Sequence, residues 1–495
     1  MQRHLRDNRF CKTQPAYSRL NEREQVLTSR LHWSRAFRRL GVFAVLVISG
    51  CTLDGKTGDA PPDASVTVDS TRHYQTITGW EAVAQAGQED VPYYGAIRDT
   101  LLDLAANDLG ITRLRLWLRS GYEHTTDLWA ENRAGRRHEF TCGRFTTHND
   151  NNDPFVIDPA GFQFSQLDFV MENLVLPLKQ RVEARGEQLF LNANYVAFMR
   201  LCPPGTPYVH NTPEEYAEFV IAAYQHVQAK YGITFDAWEI ILEPENTHFW
   251  RGRQIGEAMV ATARRLERHG IKPRFIAPST TKAANALKYF EEMRRVPGAL
   301  EYLDELSYHR YRGYTDGDIA AIGRLGAQHK VNTAMLEHIG SGHENLHQDL
   351  KLANVSAWQQ FALAYSQKRD DGAQYYLIRN PRSPKAYVEL SETGKFFRQY
   401  FRYVRPGALR VGAETTDTAA DPLAFTGPGD QAVVVLKTDR GMSIRVTGLR
   451  PGTYGVRYTT DRKVHMAAPD VRTTGGPVDV SIPDRGVLTL FRKPQ

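Results

Sequence analysis

The sequence predicts an α/β fold, a (β/α)8 TIM barrel with an appended antiparallel β-sandwich, and three observations predict it. Eight short apolar strands alternate with helical stretches between residues 65 and 407, which argues for a closed parallel barrel. After about residue 408 the helical pattern stops, and strands divided by Gly, Pro and Asp turns take over. The 495 residues are 41% hydrophobic and 24% charged with four cysteines, which excludes a disordered, collagenous or disulfide-dense chain and leaves room for one large and one small domain.

Residues 1–50 read as an export segment. Arg35, Arg38 and Arg39 precede an apolar run at 40–48, too short to span a bilayer, that ends in Ser49, Gly50 and Cys51. Ile48-Ser49-Gly50-Cys51 resembles the bacterial lipobox, and Thr52 after it resembles outer-membrane sorting. The resemblance implies an exported lipoprotein, lipidated on Cys51 and touching the membrane through that anchor only. Residues 51–64, with Gly55, Gly58, Pro61 and Pro62, form a tether. Ten of the 62 basic and three of the 56 acidic residues lie in the leader, so the body is near neutral and no nucleic-acid partner is expected.

The eight barrel strands are expected at 77–84, 111–118, 188–194, 235–243, 274–279, 303–308, 332–337 and 373–378. One outer helix begins at Thr212, an N-cap with Pro213 at the first helical position and Glu215 completing a capping box, and stops at Gly232. Another spans 255–269 before Gly270. The sandwich occupies 408–495, with strands at 433–437, 442–446, 453–458, 478–482 and 487–491; the alternating stretch 65–68 extends toward it. Once Cys11 leaves with the leader and Cys51 is lipidated, Cys142 and Cys202 remain to pair in an oxidising compartment, a link worth about 4 kcal/mol by chain entropy.

In a barrel of this kind chemistry sits at the carboxyl ends of the strands. Glu243 closes the fourth predicted strand and Glu337 the seventh, so the two face each other across the mouth. A retaining glycosidase needs such a pair: one carboxyl protonates the leaving oxygen while the other attacks the anomeric carbon. A separation beyond about 10 Å excludes that reading, because the expected one is about 5 to 5.5 Å.

From these residues the chain resembles glycoside hydrolase clan A, and within it family 30, over about residues 65 to 495. Thr76-Ile77-Thr78-Gly79-Trp80 looks like the family's opening strand and Gly110-Ile111-Thr112-Arg113-Leu114-Arg115 like its second. Leu242-Glu243-Pro244 stands where the clan has Asn-Glu-Pro, His309-Arg310-Tyr311 resembles its sixth-strand motif, and 401–407 with Arg410 looks like the return to the sandwich. The resemblance implies Glu243 as acid/base, Glu337 as nucleophile, and Arg115 and Tyr311 holding Glu337 ionised, with His309 in support. Arg113 shares a strand face with Arg115, and the two roles are exchangeable at this level. It also implies a β-linked polysaccharide or oligosaccharide substrate and no cofactor or metal.

One departure is plain. Leu242 cannot make the sugar 2-hydroxyl hydrogen bond of the clan's asparagine, which leaves Asn194 or His248 to replace it, or a barrel that binds carbohydrate without cleaving it. Glu245 is a second candidate acid. Trp80, Trp117, Trp129, Trp250 and Tyr314 are candidate sugar-stacking aromatics. The long stretch 120–164, with its polar run His148-Asn149-Asp150-Asn151-Asn152-Asp153, is expected to wall the cleft, with a calcium loop as the alternative. A remote competitor is the zinc metalloprotease motif His343-Glu344-Asn345-Leu346-His347, preceded by Gly340 and Gly342 and lacking a nearby third ligand.

Overall fold

A computed structural model describes residues 61–136, 142–366 and 369–494; the leader, Cys51 and most of the tether lie outside these residues. Eight parallel strands form the ring: Gly79–Val83, Arg113–Arg119, Phe190–Val196, Ala237–Glu239, Phe275–Thr280, Leu303–His309, Asn332–Glu337 and Val355–Trp358. It closes where Gly79 and Trp80 pair with Ala357 and Trp358. Each strand is almost wholly buried, as a sheet covered on both faces must be.

Two expectations change. The fourth strand is regular only over Ala237–Glu239, and its expected continuation carries the chain to Glu243 at φ 46°, a left-handed backbone that a non-glycine residue adopts only under constraint. The eighth ring strand is Val355–Trp358, not 373–378. The latter is a real strand, Gln374–Arg379, but it attaches through Ala362–Tyr365 to the first strand and pairs antiparallel with Tyr387–Leu390. Four residues are too few to show a period, and both segments are equally buried, so burial did not distinguish them.

The helix Pro213–Tyr231 begins and ends as its caps dictate, with Thr212 accepting from the Glu215 amide and Gly232 at φ 68°. The reciprocal half of the capping box is missing, because the Glu215 carboxylate accepts from Asn149 instead. The helix Gly252–Arg268 likewise ends just before Gly270, at φ 71°.

The second body is one nine-stranded, mostly antiparallel sheet wrapped around a single apolar core that includes Val66, Val434, Leu436, Ile444, Tyr454 and Leu488. Ala64–Thr76 belongs to it, between Leu409–Thr415 and Met442–Thr447. The return segment binds the two bodies: Arg405 forms a bidentate pair with Glu187 at 2.8 and 2.6 Å, and Arg410 donates to Gln75 and Asn354. Helix Glu392–Phe401 fills the seam, with Gln399 joined to Thr459 and Thr489.

Candidate active site

The barrel interior carries an unusual density of charge. Strand alternation puts Arg113 and Arg115 on one face, and each is fully buried. All three guanidinium nitrogens of Arg113 are used by Glu81, Glu305 and Thr78. Arg115 donates from two nitrogens to Glu239 and from the third to Glu337 at 2.9 Å and to the Leu336 carbonyl. The exchange of roles left open by the sequence is thereby resolved: Arg115, not Arg113, reaches Glu337.

Glu243 and Glu337 come together at the mouth. With His309 they form a fully buried trio whose nearest donor atoms all lie within 4.8 Å of one another. Tyr311 donates to Glu337 at 3.1 Å while its oxygen accepts the Ile339 amide. Glu243 is held on both oxygens, by the His309 Nδ1 at 3.1 Å and the Asn246 amide at 2.6 Å. Its left-handed backbone is pinned by a hydrogen bond from its amide to the carbonyl of Ser279, itself at φ 50°.

Electrostatics sharpen the pair. Burial pushes the Glu337 carboxyl up to about 7, with the Glu243 charge adding to the rise and His309, Arg115 and Tyr311 opposing it. Arg115 and Tyr311 both favour the ionised form of Glu337, and burial works against them. Arg115 spends two of its nitrogens on Glu239, and one shared cation does not offset the loss of water. Burial also lowers His309 to about 4, so its imidazole is neutral at pH 7. Two carboxyls this close do not ionise independently, because each charge opposes the other.

The same trio is the one set among the described residues whose atoms converge as metal ligands do. Its fit to a cation is poor, because the Arg115 guanidinium already stands 2.9 Å from Glu337 and Tyr311 and Asn246 occupy further carboxylate oxygens.

The other candidates separate cleanly. Asn194 is fully buried in register with Trp117 and Glu239, and neither its amide nitrogen nor its oxygen has a protein partner. The indole nitrogen of Trp117 is also buried without one. Each such group costs about 1 to 3 kcal/mol unless water or a ligand satisfies it. Trp80 instead stacks on Phe401 at 4.4 Å and donates to the Val404 carbonyl, and Trp250 donates to Tyr208 beneath the loops, so both are packing residues rather than sugar platforms. His248 is exposed, which leaves Asn194 the better stand-in for the asparagine missing at Leu242. Glu245 turns away onto the Thr281 amide and Asn285 and is not a second acid. Trp129 packs against Phe169, and Tyr314 lies under Arg310 at 3.8 Å.

Cys142 and Cys202 form a disulfide that ties the loop after the second strand to the loop after the third. Asp150 and Asp153 cap turns through the amides of Asp158 and Phe155, which is local loop chemistry rather than a calcium shell. The zinc motif fails on geometry: His343 stacks on Phe396 at 4.2 Å and His347 is buried against Tyr400 and Asp421. Two small, shallow hollows lie beside Trp117 and Trp129 and share Arg119, Tyr122 and Gln166.

Sequence reasoning missed Glu239, which aims Arg115, and Asn246, which holds Glu243. Glu239 was signalled only by an acidic residue inside an otherwise apolar strand, and Asn246 by its place in the turn after Glu243.

No family model and no curated protein matches the chain. Solved structures do. A glycoside hydrolase family 30 endoxylanase from Clostridium papyrosolvens C71 is 18% identical with a TM-score of 0.60, covering 87% of this chain and 100% of that one. The catalytic domain of a family 30 xylanase C from Talaromyces cellulolyticus is 15% identical at 0.62, over 87% and 100%. An endo-β1,6-glucanase is 15% identical at 0.61, over 87% and 94%. The chain has their fold. The family resemblance read from short motifs is thus met by the architecture that those motifs imply.

Proposed function

We propose that this chain is a retaining glycoside hydrolase acting on β-linked polysaccharides or oligosaccharides. The observation that carries the reading is the buried Glu243 and Glu337 at the mouth of strands four and seven, their nearest oxygens within 4.8 Å, on the retaining rather than the inverting side of the range. The similar solved structures, xylanases and a β1,6-glucanase among them, support the same class.

In this reading the dyad starts with one proton, on Glu243. Glu337 attacks the anomeric carbon and the bond to the leaving oxygen breaks as Glu243 passes its proton to that oxygen. Water then attacks the glycosyl-Glu337 ester, giving its proton to Glu243 and restoring both groups. Arg115 and Tyr311 position Glu337; His309 and Asn246 orient Glu243; Asn194 and Trp117 offer unpaired buried atoms to the sugar. Incubating the body that follows Cys51 with a panel of β-linked glycans and identifying products by mass spectrometry tests this. Products are expected from the parent and lost in Glu337→Gln; glycan binding without products in the parent overturns the reading in favour of a binding protein.

We also propose that the chain is exported and anchored at the outer membrane through Cys51. Incorporation of labelled fatty acid, lost in Cys51→Ala, is the expected result.

A further inference from the structure

The loop that carries Glu243 also carries an aromatic that no motif singled out. Phe249, six residues on, is 43% exposed, yet its ring is not loose: it lies flat on Tyr208 at 5.5 Å and 11°. Tyr208 is itself fixed, its hydroxyl bonded to both Tyr195 and the Trp250 indole. The turn at Pro244–Asn246 folds the loop back, and Arg200 from the preceding loop donates to the Thr247 carbonyl. Leu201, 44% exposed, stands next to Arg200 in that second loop, and His248 is exposed beside Phe249. A rigid, exposed ring with polar neighbours, on the same loop as Glu243 and six residues after it, matches a sugar-stacking surface better than a protein-docking patch, which would be broader and more apolar.

We propose that Phe249, supported by Tyr208, binds the sugar on the leaving-group side of the scissile bond. The inference rests on Glu243 being the acid. The leaving oxygen must sit at the Glu243 carboxyl, so the sugar that bears this oxygen emerges over the loop Glu243 belongs to, and Phe249 is the exposed ring there. An enzyme built this way gains binding from a sugar on each side of the bond, so it cleaves glycan chains in preference to simple aryl glycosides, which it turns over more weakly.

Phe249→Ala, Phe249→Tyr and the parent are compared on the polysaccharide the parent cleaves, and on the 4-nitrophenyl β-glycoside of its sugar, whose leaving group has no sugar. For Phe249→Ala, KM on the polysaccharide is expected to rise about threefold to tenfold, the worth of one stacking contact. Its kcat/KM on the aryl glycoside is expected to stay at the parent value, and Phe249→Tyr to restore the polysaccharide KM. An equal loss on both substrates, or no change on the polysaccharide, overturns the subsite. A parent that cleaves aryl glycosides but no polysaccharide overturns the subsite while leaving the glycosidase reading intact, and a parent that cleaves neither overturns both.

Discussion

Arg113 and Arg115 stand two residues apart on one strand, equally buried and each clasped by two glutamates, yet the two clusters are built to different ends. Around Arg113 every guanidinium nitrogen and all four oxygens of Glu81 and Glu305 have partners. Around Arg115 the accounting stays open: Asn194, the Trp117 indole nitrogen and His309 Nε2 are buried and unpaired, and Glu337 is pushed up to about 7. A closed buried network is an anchor, because water and ligand have nothing to add to it. An open one at a barrel mouth is a site that its substrate completes.

The largest effect should come from breaking the open cluster. Arg115→Met is expected to lower kcat about 100- to 1,000-fold, as losing one positioned charge-stabilising donor does. The matching change in the closed cluster, Arg113→Met, should cost about 3 to 5 kcal/mol of unfolding free energy, because it strands Glu81 and Glu305 without their cation. Its kcat per folded molecule should stay near the parent value. Urea melts alongside kinetics separate the two; if Arg113→Met slows turnover as strongly as Arg115→Met, the division is wrong.

A smaller contrast lies in two asparagines of the third strand. Asn194→Ala is expected to lower kcat/KM about tenfold to a hundredfold, because it removes a partner for the sugar, while Tm holds or rises, because no protein hydrogen bond is lost. Asn192→Ala should instead lower Tm, since its amide bridges Glu81 and Glu239. A fall in Tm for Asn194→Ala with unchanged kinetics would make Asn194 a packing residue.

The smallest effect is in pH dependence. The dyad loses its last proton near the raised Glu337 value of about 7, so kcat/KM is expected to fall above that pH. Stability carries the same signature. A carboxyl near 4.3 when unfolded and near 7 when folded contributes stability that is whole below about 4.3 and gone once pH passes 7. His309, lowered to about 4, runs the other way and adds stability as pH rises toward 6.5. Above 6.5 only the loss remains, shared with Glu218, which burial and its acidic neighbours raise to about 8. Thermal melts of Glu337→Gln should therefore show a shallower fall from pH 6.5 to 8 than the parent. An identical slope would mean that Glu337 is not the titrating group.

Much of this was legible in the chain. Alternation of apolar runs with capped helices implies a parallel barrel, because the periods of strand and helix are local properties of backbone and side chain. Glu243 and Glu337 were legible because strand ends are. The ring's eighth strand was not, since Val355–Trp358 is too short to carry a period, and its membership depends on pairing with strands 22 to 23 and 278 residues away in sequence. Nor was the sorting of aromatics. Trp80, Trp250 and Phe249 are all aromatic; one is packed under the barrel, one is bonded beneath a loop, and one is laid open on the loop that carries Glu243.

By itself the sequence determined most of the elements and their order, and singled out the two candidate carboxyls, because each follows from short-range chemistry. Only the tertiary structure decided which arginine serves Glu337, that Cys142 meets Cys202, that Glu245 and the zinc motif face elsewhere, and that Asn194 is left waiting for a partner. These are questions of which groups exclude water from which others, and that is settled only when distant strands close into one ring.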